Sequence, residues 1–224
     1  MAYDATSHRT ARAPERAPRR GVLLGVLALA LLVGYGTNQI PSWDFLDGSA
    51  MWVNELGAPY AALAWLGGMA CPRSDLRAAV GGVLAVVVAF FGYYAEILVE
   101  TGGDPLRLLG LTNPWLAMEL ALGTLLGVAG RRWWVCGDRR TAVLAGILPV
   151  LEALAFATGL TGIDIPALNL YPPTYPWSAW NLAFWAVEAA TGVLVGVWLL
   201  RRAASRRTVP GEAGGLAAAR LGRG

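Results

Sequence analysis

The stretch LRAAVGGVLAVVVAFFGYYAEILV, residues 76–99, holds eighteen uncharged residues between Arg77 and Glu96. A run of that length without a charge reads as a membrane-crossing helix, because about 20 apolar residues rising ~1.5 Å each span a hydrocarbon core of ~30 Å. Working outward, comparable runs cover about Gly21 to Asn38, Gly57 to Cys71, Pro114 to Gly130, Thr141 to Leu160 and Trp177 to Leu200. The run from Gly57 is short for a crossing. Extended back through Ser49 to Leu56 it reaches span length, carrying Asn54 and Glu55 and an expected kink at Pro59. The expected fold class is all-α, a polytopic membrane protein built as a bundle of six transmembrane helices.

Composition agrees. Of the 224 residues, 56% are hydrophobic and 15% charged, and the mean hydropathy is +0.49. An average soluble domain has roughly 45–50% apolar and ~25% charged residues, so an ordinary soluble protein is excluded. The chain has no room for a catalytic domain of usual size beside its helices. Its two cysteines, Cys71 and Cys136, are not spaced as a metal pair, and its one histidine, His8, lies in a polar tail. With no nucleophile beside a base and no metal cluster, neither enzyme activity nor a cofactor is expected.

The 18 basic residues are all arginine, and their positions set the expected topology. Five lie in the tail 1–20, Arg73 and Arg77 flank the second-to-third connection, and Arg131, Arg132, Arg139 and Arg140 fill the fourth-to-fifth. Six more follow the last run, and only Arg107 falls on the other side, where Asp44, Asp47, Glu55, Asp104 and Asp164 gather. This segregation predicts a disordered cytoplasmic tail at 1–20, a six-helix domain at 21–200 and a basic cytoplasmic tail at 201–224. The protein is then a multi-pass protein of a bacterial cytoplasmic (inner) membrane with both termini inside. No A-x-A-like cleavage site follows the first run, so it is expected to stay as an uncleaved helix. The basic tail beside an anionic leaflet acts as an orientation signal, and no nucleic-acid partner is expected.

An acid inside a span is costly unless neutral, paired or hydrated, so each one is a functional candidate. There are four, Glu96, Glu119, Glu152 and Glu188, one in each of the last four runs. Counting from the arginine-rich ends at ~1.5 Å per residue puts Glu119 and Glu152 ~18 Å deep, Glu188 ~20 Å and Glu96 ~28 Å. Three share a level just beyond the midplane. At helical spacing, Trp177, Asn181, Phe184, Glu188 and Thr191 form a stripe with Trp180 beside it, Asn113, Trp115 and Glu119 approach one face, and Tyr93 accompanies Glu96 and Glu100. A carboxylate among aromatic faces suits an organic cation, the acid supplying charge and the rings cation–π attraction. The competing reading makes the aromatics an interfacial belt and the glutamates helix-joining hydrogen-bond partners.

Small residues recur four apart at Gly21 and Gly25, Ala30 and Gly34, Gly123 and Gly127, Ala142 and Gly146, and Gly192 and Gly196. Such pairs let helices approach closely.

The stretches AALAWLGG at 61–68, GYY at 92–94 and GRRWW at 130–134 resemble a family of small bacterial integral membrane proteins without an assigned activity, over about residues 20–200. In architecture the chain also resembles the substrate-binding S-component of energy-coupling-factor transporters, six-helix proteins whose site opens outward. That resemblance implies a ligand site lined by Glu119, Glu152, Glu188, Trp115, Trp180 and Phe184. It also implies transmembrane and ATPase partner subunits, the former met by small residues of the first helix. The expected function is binding or transport of a small solute, for which a cation suits the chemistry, through an acidic and aromatic cavity in the outer half of the bundle, with Glu96, Asn181 and Tyr93 also contributing. The alternative is a non-transporting structural or assembly protein.

Overall fold

The computed structural model describes residues 20–39, 57–100, 102, 105–158 and 179–207. Every regular element among them is helical: α1 (Arg20–Gln39), α2 (Ala58–Ala70), α3 (Asp75–Tyr93), α4 (Ala95–Glu100), α5 (Pro105–Cys136), α6 (Arg139–Thr158) and α7 (Ala179–Arg207). Four of them, α1, α3, α6 and α7, are long and apolar enough to cross a membrane. Residues 1–19, 40–56, 208–224 and Trp177 lie outside the described residues, whereas 201–207, expected as the start of a tail, continue α7 as helix.

Three boundaries differ from the sequence expectation. Helix α5 starts at Pro105, well before Pro114, and continues past Gly130 to Cys136, so Arg107 is helical. The run at 76–99 is not one helix but two, because Tyr94 leaves the helical conformation (φ −91°, ψ 13°) before α4 resumes. The break sits in an aromatic crowd, with the Tyr94 ring 4.7 Å from both Phe90 and Tyr93. Helix α2 begins at Ala58, so Pro59 stands in its first turn, where no intrahelical N–H is lost, and produces no kink. At 13 residues α2 extends only ~20 Å, less than a full crossing.

Close backbone approach holds the helices together. A Cβ added to Gly68 of α2 would lie 1.9 Å from the Gly127 carbonyl oxygen of α5, and one on Gly34 of α1 would lie 1.9 Å from that of Ala89 in α3. Gly146 of α6 meets Gly192 and Gly196 of α7 in the same way. Of the small-residue pairs in the sequence, these serve packing within the chain, whereas Gly21 and Gly25 face open space. Helices α1, α2, α3 and α5 pack into one group, while α6 and α7 pack mainly on each other and touch the first group sparsely.

The arginine-rich ends converge. At the α2–α3 turn, the Ser74 hydroxyl accepts the Arg77 N–H and caps α3. Arg131 of α5 donates to Asp75 (2.6 Å) and to the Pro72 carbonyl (2.9 Å), and Arg132 donates to Asp75 at 3.2 Å. Trp133 donates to the Leu199 carbonyl, joining the same end of α5 to that of α7. Because α1 finishes against α4, just past the end of α3, Arg20 lies with Asp75 at this end as well.

Candidate functional site at the start of α2

A helix that starts within the membrane exposes backbone N–H groups where no water can satisfy them. In α2 this demand is met from another helix. The Glu152 carboxylate of α6 accepts the N–H of Gly57 and, at 2.6 Å, that of Ala58. Charge and geometry agree, since an anion at a helix N-terminus is favoured by the aligned peptide dipoles. Glu152 therefore has a structural task, and the shared depth of the glutamates acquires a physical reason.

Glu188 of α7 faces Glu152 closely enough for each carboxyl to feel the other's charge. Both of its oxygens are buried; the Glu152 carboxyl lies within hydrogen-bond reach, so the two acids can share a proton, and no N–H, hydroxyl or cation partners Glu188 among the described residues. Glu119 of α5 lies near enough for its charge to act on the Tyr60 hydroxyl, which itself contacts the Thr37 hydroxyl at 3.2 Å. One Glu119 oxygen, Oε2, is buried without a partner among the described residues. Three acids from three helices thus lie near the first turn of α2.

A cavity of about 580 Å³ opens from this turn between α2, α5, α6 and α7. Glu188 and Thr191 line its upper part with Phe184, and Trp65, Trp133, Trp134 and Trp198 wall the rest. It runs from Glu188 toward the arginine-rich end and reaches Arg202. The sequence reading put an acidic cavity on the opposite side of the glutamates. Among the described residues this cavity lies on the arginine side of Glu188.

The remaining expected site residues divide. Neither Asn181, which is fully buried, nor Trp180, which is 57% exposed, lines the cavity. Glu96 is exposed on α4 and accepts hydrogen bonds from Gln39 (2.7 Å) and Asn38 (3.3 Å), so it ties the ends of α1 and α4 together, apart from the other acids. Tyr93 packs on Tyr94 and lies in the neighbourhood of Tyr60. The Trp115 side chain lies outside the described residues. Sequence reasoning passed over Trp65, Trp133, Trp134 and Trp198. The first three stand in the quoted stretches AALAWLGG and GRRWW, but neither contains an acid to draw attention to it.

No family model, curated protein or solved structure matches this chain. The site is therefore read on its own chemistry: an uncompensated carboxyl at one end of an apolar, tryptophan-walled space that a membrane surrounds. No group of three or more metal-ligating side chains occurs among the described residues.

Proposed function

We infer that this membrane protein binds a small organic cation, with the Glu188 carboxylate as the anionic anchor and the aromatic cavity walls holding the apolar body. The observation that carries this reading is the Glu188 side chain itself, which lines an open cavity and whose buried oxygens meet only the facing Glu152 carboxyl, with no cation or N–H donor beside them among the described residues. A carboxylate that only joined helices would have donors at its lone pairs, as Glu152 has in two backbone N–H groups. A bound cation supplies what Glu188 lacks, and each well-placed ring adds up to ~2 kcal/mol when water is excluded.

Transport in a bacterial inner membrane, with or without transmembrane and ATPase partner subunits, extends the same reading. The second reading, in which buried glutamates only hold helices together, is favoured by one observation, the double capping contact of Glu152. It applies to that residue, and Glu188 distinguishes the two.

The cavity tryptophans provide the test. Titrating the purified protein with tetraphenylphosphonium should change its tryptophan fluorescence saturably, and Glu188→Gln should weaken that binding by roughly a hundredfold, the order of effect for losing one partner of a desolvated charge pair. Equal binding by the variant and the parent protein would remove Glu188 from the site.

A further inference from the structure

The far end of the same cavity has a different chemistry. From Glu188 to Arg202 is fourteen residues of α7, about 21 Å at 1.5 Å per residue, enough to run from past the middle of a ~30 Å core to its edge. Below Thr191 its walls are apolar and aromatic, and they end at the Arg202 guanidinium, 5.2 Å above the Trp198 ring. The groove is open sideways: among its lining residues Trp198 is 53% and Val195 40% exposed on the face of α7 that a bilayer covers.

Charge at that end is unbalanced. Asp75 engages Arg131 and Arg132, and the Asp138 carboxylate accepts the Arg140 backbone N–H, so neither acid meets Arg202. No carboxylate pairs with Arg202 among the described residues. A cation would be repelled there, and a groove of this length and polarity fits an anionic amphiphile standing in line with the membrane lipids.

The geometry points to a bound anionic phospholipid whose headgroup phosphate rests on Arg202 and one of whose acyl chains fills the groove between α2, α5 and α7. Arginine is suited to this contact because its planar fork grips phosphate oxygens in pairs. The acyl chain lies along the same tryptophan walls that would hold the body of a cation, so the two ligands exclude each other from that part of the cavity. The assignment does not rest on the cation reading.

The test is native mass spectrometry of the full chain extracted from vesicles of equal phosphatidylglycerol and phosphatidylcholine. One phosphatidylglycerol per chain should survive activation that strips phosphatidylcholine. Arg202→Gln should cut that preference about fivefold, the size of effect of one arginine at an anionic surface, while Arg202→Lys should largely keep it. Ala62→Phe, which fills the groove from α2, should reduce retention of both lipids, and thermal melting of each variant would establish that it is folded. Glu188→Gln should leave lipid retention unchanged. Retention without headgroup preference, or insensitive to both Arg202→Gln and Ala62→Phe, would overturn the assignment. So would a dimer whose second copy fills the groove in place of lipid.

Discussion

Glu152 and Glu188 are the same residue type at the same depth, with their carboxyls facing each other, yet their surroundings give them opposite energetics. Glu152 satisfies two helix-start N–H groups, each of which costs about 1–3 kcal/mol when buried and unmet. Removing it by Glu152→Ala should lower stability by about 2–4 kcal/mol, seen as a fall in melting temperature in detergent, with Glu152→Gln intermediate because an amide oxygen can still accept one bond. Melting of Glu152→Ala at the parent temperature would contradict the capping role. Glu188 carries the reverse balance: its oxygens receive no N–H among the described residues and face a second acid, so Glu188→Gln, which removes the like charge and whose amide can donate to Glu152, should leave stability unchanged or raised. That trade between stability and function is the usual mark of a site kept for binding.

At the scale of elements, helix contact depends on hydrogen in place of a methyl group. Gly68→Val must push α2 from α5, because the added Cβ would lie 1.9 Å from the Gly127 carbonyl oxygen. Overpacking of this kind costs about 1–3 kcal/mol. Gly25→Val, where nothing lies within 4 Å, should be neutral. A melting comparison of the two variants checks the packing, and equal effects would refute it. The helices themselves were largely legible in the sequence, since α1, α6 and α7 begin or end within a few residues of the apolar runs, apart from the arginines that extend α7. The breaks were not. Pro59 carries the same local information in a kinked helix as in a first turn, and only the distant Glu152, 95 residues from Gly57, makes a start at Ala58 affordable within the membrane. The level of the three acids could be counted from the arginines, but which acid had a partner depended on contacts between helices. For the same reason the face that each tryptophan presents could not be read from its spacing.

For the whole molecule, the convergence of arginine-bearing helix ends makes a prediction about sidedness. Cys71 and Cys136 both lie at that end, the first half-buried and the second exposed. Burial pushes the Cys71 thiol above its ordinary value, partly offset by the Arg77 charge. A raised thiol pKa leaves less thiolate at neutral pH, so Cys71 should alkylate more slowly than Cys136. If positive residues face the cytoplasm, a membrane-impermeant maleimide should label Cys136 in inverted vesicles and spare it in intact cells; labelling from outside would reverse the topology. In either orientation, α6 and α7 pack on each other more than on the other helices, and the cavity lies along that seam. The measurement that tests the division of labour most directly is thermal melting of the parent protein, Glu188→Gln and Glu152→Gln, each with and without tetraphenylphosphonium. The account predicts that the cation raises the melting temperature of the parent and of Glu152→Gln, from a lower starting point in the latter. Glu188→Gln should start at or above the parent temperature and show no shift with the cation. A cation-induced shift in Glu188→Gln equal to that of the parent would contradict it.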